Sequence, residues 1–236
     1  MTTQNLKGKV ALVTGASRGI GRATAVALAG LGAHLVITAR SQGGLEETDD
    51  MIRAAGGSAT LIPLDLQREG EQIDMLGPSI VERFGRLDIL VHAAAVLSKL
   101  TPVAHIMPRD WEESLAVNTS ATWRLIRTCD PPLRAAEAGR AVVLTDRHVF
   151  APAAYWGLYS AAKAAQAHLV GCWAAELEQT KLRVALVDPG PVATQLRMVA
   201  FPGEDQKKIR QPEEVGAAVA ALVAGSPFPH GDVTRI

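Results

Sequence analysis

Cysteine is scarce in this 236-residue chain: Cys129 and Cys172 form no CxxC pair, which suits a reducing cytoplasm and gives no zinc-ligand spacing. The six histidines form no HExxH either. Net charge is also lacking, with 24 Lys+Arg against 24 Asp+Glu, so the chain has no basic field for a nucleic acid or an anionic membrane. Long hydrophobic runs are missing too. The apolar stretch after the N-terminal lysines is short for an export signal, and residues 23–39 are broken by Gly30, Gly32 and His34. A cytoplasmic protein without a membrane span is expected. No repeat, low-complexity tract or Pro/Ser-rich linker divides the chain, so residues 1–236 are expected to form one domain. What the chain does have is 48% hydrophobic residues. A chain of this length can bury roughly 70–75% of its unfolded surface and needs no disulfide or metal to hold a core.

Apolar runs without clean alternation occur at Val10–Val13, His34–Thr38, Thr60–Leu64, Ile89–Val91, Ala141–Thr145 and Val184–Val187. Such runs are typical of strands buried on both faces. Between them lie stretches with helical spacing: Ile20–Leu31, Leu45–Ala55, Glu69–Phe84, Arg109–Thr128 and Leu158–Glu178. Pro131 and Pro132 are expected to end the fifth helix, and Pro212 to start another that runs to about Val223. The final GDVTRI reads as an edge strand. This alternation predicts an α/β fold: a doubly wound sheet of about seven mostly parallel strands, helices on both faces, and a ligand cleft at the strands' carboxyl ends. Residues 191–210 carry no strong periodicity and read either as a mobile flap over the site or as a surface excursion.

After the first strand comes TGASRGIG, with Gly15, Gly19 and Gly21 at the turn into a helix. Glycines there let the backbone approach a pyrophosphate, and the helix N-terminus offers it unpaired N–H donors. The second strand ends at Arg40 and Ser41, where an acid would select NAD; here the acid is absent. Arg40 and Arg18, with Ser17 or Ser41, could converge on the 2′-phosphate of NADP(H). Alternatively, both arginines are solvated surface residues. Tyr159 and Lys163 stand four residues apart on one helix face, where an ammonium would stabilise the phenolate and lower its pKa. Alone the pair says little, since some Tyr would have Lys at that spacing by chance about 6% of the time.

The ordered combination says much more. TGxxxGxG at 14–21, Asp65 after the third strand, Asn118 within a helix, YxxxK at 159–163 and PGxxxT at 189–194 together resemble the classical short-chain dehydrogenase/reductase family, from Gly8 to the C-terminus. The resemblance implies that Gly15, Gly19 and Gly21 surround the pyrophosphate, with Ser17, Arg18 and Ile20 also among the cofactor-binding residues, that Asp65 and Leu66 receive the adenine, and that Ala93 lies along the cofactor. It further implies that Pro189, Gly190, Val192 and Thr194 fix the nicotinamide carboxamide. Tyr159 would be the general acid/base, Lys163 would bind the nicotinamide ribose, and Asn118 would hold a water in a proton relay. Asp65 could otherwise be a turn acid or helix cap, Asn118 a local kink or buried amide, and the PGxxxT segment a tight turn.

Two departures stand out. Where the family has an NNAG-like segment, this chain reads His92, Ala93, Ala94, Ala95. Where the family places a substrate-orienting serine, 13 residues before the tyrosine, it has Asp146. An ionised Asp146 would oppose both the phenolate and a developing alkoxide and raise the tyrosine's pKa, a protonated one could donate a hydrogen bond, and Thr145, Tyr155 or His148 could supply the donor instead. Asp146 could also point away, toward Arg147 or His148. The reading is therefore an NADP(H)-dependent oxidoreductase acting on a carbonyl or alcohol, with a non-catalytic NADP(H)-binding sensor or scaffold as the alternative. A homodimer or homotetramer is expected from the resemblance and from a small, apolar face on the helix after Tyr159, made of Ala161, Ala164, Ala165, His168, Leu169, Cys172 and Trp173.

Overall fold

Each strand of the central sheet sends alternate side chains to opposite faces, and both faces are apolar. The computed structural model describes residues 5–146 and 151–236. Its strands are β1 (Val10–Thr14), β2 (His34–Ala39), β3 (Ser58–Pro63), β4 (Ile89–His92), β5 (Arg140–Leu144), β6 (Arg183–Asp188) and β7 (Val233–Arg235). They form one sheet in the order β3-β2-β1-β4-β5-β6-β7, with every pair parallel. On one face Ala11, Val13, Leu35, Ile37, Val91, Val142 and Val187 pack beneath α1 (Gly19–Gly30), α2 (Gln42–Ala54) and α8 (Pro212–Ala224). On the other, Leu12, Val36, Leu90, Val143 and Leu186 meet α3 (Gly70–Phe84), α5 (Ala121–Ala135) and α6 (Gly157–Glu176). The strand order reverses between β1 and β4, so their carboxyl ends splay the adjoining loops apart and open a cleft there.

Two expectations need correction. Pro131 and Pro132 do not end their helix: α5 continues to Ala135, and Ala136 N still donates to Pro132 O at 3.1 Å. The prolines each remove a donor, but Leu133 is fully buried against the sheet, and that burial holds the last turn in place. Trp173 does not join the exposed face of α6. It is buried in the chain's own core, and its indole N–H donates to Asp130 Oδ1 at 2.7 Å, whereas Ala161, His168 and Cys172 are exposed. The helix expected at Arg109–Thr128 is α4 (Pro108–Leu115) followed without a break by a π-helical turn at Ala116–Ser120 and by α5. Residues 191–210 contain a short helix, α7 (Gln195–Ala200), and run across the cleft. Among the described residues no helix is long and apolar enough to cross a membrane.

At the opposite edge of the sheet Asp88 joins β1 to β4. Its Oδ2 accepts from Val10 N at 3.0 Å and from Arg86 Nε at 2.7 Å, and Lys9 lies 3.3 Å from its other oxygen. Burial by itself would raise this carboxyl's pKa, but the Arg86 hydrogen bond, the Val10 N–H and the two cations outweigh it and hold the pKa below the ordinary value. A depressed pKa stabilises the fold above the ordinary aspartate range, and that stability is lost as pH falls through the folded value. Asp88→Ala should cost about 2–3 kcal/mol at pH 7 by orphaning a buried N–H and removing a charge-assisted bond. In urea unfolding from about pH 5 down to pH 2, the gap between wild type and variant should narrow. A constant gap would show that the carboxylate charge is not what stabilises the junction.

Candidate active site

The turn between β1 and α1 is shaped by contacts that leave no room for side chains. Gly15 has φ of +68°, and a Cβ on it would stand 2.8 Å from the Ala94 backbone. A Cβ on Gly21 would stand 2.3 Å from Gly15 O, so the turn folds back onto its own helix. The first turn of α1 has no acidic residue, and Arg18 at its N-cap makes no side-chain cap bond, which leaves the helix N–H groups directed into the cleft. Thr194 Cγ2 lies 3.5 Å from where a Gly19 Cβ would be, so the crossing segment reaches over this turn. Arg18 donates to Gln195 in that segment.

A cavity of about 460 Å³ brings together the cofactor-binding candidates and, of the catalytic ones, Asp146, Tyr159 and Lys163, but not Asn118. At one end are the glycine turn, Ser17, Arg18, Ile20, Arg40 and Ser41; Ser41 also caps α2 by accepting from Gly44 N at 3.1 Å. Asp65 and Leu66, which follow the edge strand β3, line the cavity as well. Asp65 is at the same time the turn acid weighed as its alternative, since its Oδ1 accepts from Gln67 N at 2.9 Å. At the other end are Ala93, Asp146, Tyr159, Lys163, Pro189, Gly190, Val192 and Thr194. Gly190 has φ of +67°, and its N–H donates to Asp188 Oδ1 at 2.9 Å, the tight turn considered for this segment. The edge of the Tyr159 ring faces Trp156 at 5.9 Å, and Trp156 lies 5.9 Å from Phe201 of the crossing segment. Phe201 in turn sits under the Arg197 guanidinium at 3.7 Å, and Arg197 is paired bidentately with Glu204 at 2.6 Å.

Asn118 is fully buried beside the cavity, and its side chain is spoken for. Oδ1 accepts from Val96 N at 3.0 Å, while Nδ2 donates to Val96 O at 2.9 Å and Ser114 Oγ at 3.2 Å. It is therefore both the kink and the buried amide considered above. Ala121 N reaches back five residues to Ala116 O, and Asn118 O accepts the Thr122 hydroxyl at 3.2 Å.

Behind the cavity wall runs a chain of buried hydrogen bonds. Thr14 Oγ1 meets His92 Nδ1 at 2.7 Å, and His92 Nε2 meets Thr122 Oγ1 at 2.9 Å. Gln166 Nε2 donates to Thr122 Oγ1 at 2.8 Å, and Lys163 Nζ donates to Gln166 Oε1 and, at 2.6 Å, to Leu144 O. Ala94 N also donates to Thr14 Oγ1 at 3.3 Å, so the His92–Ala95 segment that departs from the family pattern is tied to β1.

Burial pushes the Lys163 pKa down to about 7, against an opposing pull from Asp146. Burial and the positive charge of Lys163 lower that of His92 to about 3, so His92 is neutral at physiological pH. For Tyr159 the upward direction expected of Asp146 prevails over the downward one expected of Lys163. Burial, then the like charges of Asp146 and Asp188, push its phenol above the usual range. Of the other donors considered, Thr145 lines the cavity with its Oγ1 buried and unpartnered among the described residues, Tyr155 is 59% exposed, and Arg147 and His148 lie outside the described residues. Trp156, Gln166 and Thr122 were not singled out from the sequence. The i, i+3 spacings of Trp156 to Tyr159 and Lys163 to Gln166 are the signal that could have found two of them.

Comparison with known proteins shows the family and the fold. The family model for short chain dehydrogenase matches residues 9–205. The chain is 32% identical to the uncharacterized oxidoreductase YciK of Escherichia coli strain K12, over 89% of this chain and 84% of that protein. Among solved structures, a short chain dehydrogenase from Pseudomonas syringae superposes with a TM-score of 0.94 at 32% identity, covering 99% of this chain and 96% of that one. One from Escherichia coli CFT073, complexed with NADPH, superposes with a TM-score of 0.93 at 30% identity over 100% of this chain and 99% of that one.

The glycine turn can be tested by two alanines in one helix. Gly21→Ala drives a methyl into the Gly15 carbonyl and should cost about 1–3 kcal/mol or more. Gly30→Ala, with open space around it, should instead stabilise by about 0.5–1 kcal/mol. Urea midpoints that move in opposite directions would confirm the close approach; two equal shifts would contradict it.

Proposed function

The chain belongs to the short-chain dehydrogenase family, and from that premise we propose that it is an NADP(H)-dependent oxidoreductase acting on a carbonyl or alcohol, the nicotinamide supplying or taking up the hydride. The observation that carries this reading is the meeting, in one cavity, of a side-chain-free glycine turn and Arg40 at one end with Tyr159 and Lys163 at the other. Gly15, Gly19 and Gly21 would admit the pyrophosphate to the N-terminus of α1. Asp65 and Leu66 would border the adenine, and Pro189, Gly190, Val192 and Thr194 the carboxamide. The absence of an acid after β2, with Arg18, Arg40, Ser17 and Ser41 around that corner, supports a 2′-phosphate as the group read there. NADPH in a relative of the same shape supports the same choice.

The chain's own residues handle the proton. A phenol held above its ordinary pKa stays protonated at neutral pH, which is the state needed to donate to a carbonyl oxygen as it is reduced. Lys163 would hold the ribose. With the Asn118 side chain committed, the main-chain carbonyl of the wide turn is what remains to hold a relay water. Asp146 takes the position of the family's serine and is ionised in this reading. Its charge opposes an alkoxide, so it restrains turnover, and Thr145 is the hydroxyl left at the strand end to orient a substrate. The raised phenol pKa and the two nearby carboxylates also favour a second reading, a binder of NADP(H) without turnover.

Arg40→Ala should weaken NADPH binding about 10- to 100-fold in a fluorescence titration and change NADH binding by less than about twofold, because it removes one charge-assisted contact to a phosphate. Equal losses for both cofactors would overturn the assignment of this corner.

Asp146→Ser should raise kcat for reduction of a simple ketone or aldehyde across pH 5–9. Adding Tyr159→Phe should lower it by at least about 100-fold while NADPH remains bound. Bound NADPH with no turnover of ketones, aldehydes or quinones by either wild type or Asp146→Ser would favour the second reading.

A further inference from the structure

Lys163 is 2% exposed, and a buried ammonium must place three donors. Two are spent on neutral carbonyl oxygens, Leu144 O at the end of β5 and Gln166 Oε1 one turn along α6, which leaves one for the cavity that Lys163 lines. A glutamine amide can present either its oxygen or its nitrogen, and here the surroundings decide. Thr122 Oγ1 has a single proton, directed to Asn118 O, so toward Gln166 and His92 it can only accept. Gln166, which is fully buried, therefore turns its NH₂ to Thr122 and its oxygen to Lys163. The same reasoning makes His92 Nε2 a donor and Nδ1 the acceptor of the Thr14 hydroxyl. Each buried polar atom in the series has a partner, and the series runs from the residue before Gly15 to the ammonium.

We propose that Gln166 is a positioning residue: its amide, locked by Thr122 and through Thr122 by His92, holds the Lys163 ammonium at the cavity wall and keeps it charged for the cofactor ribose. The proposal rests on the cofactor role given to Lys163 above. Gln166 does not reach the reacting atoms; it acts through Lys163. The titratable groups around the Tyr159–Lys163 pair are Asp146 beyond β5, Asp188 at the end of β6, and His92 at the end of β4. The wide turn and α5 face the series with the uncharged Asn118 and Thr122, and α4 with the uncharged Ser114. Of these, Asp146 is the carboxylate whose charge acts on Lys163, and it favours the ammonium in the same sense as Gln166.

The test reads the Lys163 side chain directly. In protein labelled with ¹³C at lysine Cε, the Lys163 signal is identified by its loss in Lys163→Met, and its titration is followed from pH 5.5 to 9.5 alongside the dissociation constant for NADPH. Gln166→Met removes an acceptor from a buried ammonium and should move the Lys163 midpoint down by about one to two pH units. Gln166→Glu places a carboxylate at the same point and should move it up. Thr122→Val frees the Gln166 amide to turn and should move it down. Far-UV circular dichroism and urea midpoints report whether each variant is folded, and the isosteric Glu variant keeps the test decisive if Met packs badly. A midpoint that stays put in both Gln166 variants, or moves the same way in both, overturns the proposal. NADPH affinity should weaken at high pH in wild type and follow the midpoint in each variant. Midpoints that move while NADPH affinity does not follow leave Gln166 as the residue that holds Lys163 and overturn the cofactor role of Lys163.

Discussion

An ammonium group shut away from water is unstable unless its donors meet oxygen, and much of the polar interior of this protein is arranged to satisfy Lys163. Leu144 O ties helix α6 to the end of β5, and Gln166, through Thr122, ties α6 to α5. His92 carries the connection to β4, and Thr14 to the turn that opens α1. Apolar packing sets how far a helix layer lies from a sheet, but a surface of Ala, Val and Leu leaves the rotation of α6 about its own axis loosely specified. The directional bonds of Lys163 and Gln166 remove that freedom. Tyr159, one turn before Lys163, inherits its placement from them.

Charge is unevenly distributed along the cavity. Arg18 and Arg40 stand with the glycine turn, while Asp146 and Asp188 act on Tyr159. Arg197, in the segment between, is neutralised by Glu204 and serves as a lid for the Phe201 ring. Trp156 bridges that lid to Tyr159, so the aromatic contacts couple the crossing segment to the phenol without adding charge beside it.

The sheet was legible in the sequence because strands buried on both faces leave continuous apolar runs, and all seven strands, the edge strand in GDVTRI included, were found within two residues of their ends. Pro131 and Pro132 misled because a proline's local cost is visible in the sequence while the burial of Leu133 is not. The glycines, Arg40, Asp65, Tyr159 and Lys163 were legible as a pattern, and the fold gathers them in one cavity. For Tyr159 the opposing effects of Lys163 and Asp146 were legible but not which would win, because burial and the charge of Asp188, delivered from β6, arise only from tertiary structure. Nor could the chain say whether Asn118 works through its amide or its main chain. His92 was noticed only as a departure from a pattern, since its partners Thr14 and Thr122 come from other elements.

The wide turn at Ala116–Ser120 has a consequence for how this segment tolerates changes in length. Such a turn takes up one more residue than an α-helical turn while the helices on either side keep their facing, so Ser114 before it and Thr122 after it both still serve Asn118. Shortening the segment by one residue there would relax the helix to regular geometry and leave the buried stripe of α5 on the sheet. What would vanish is the five-residue step by which Ala121 N reaches Ala116 O. The helix could thus lose a residue and keep its fold while giving up that widened step.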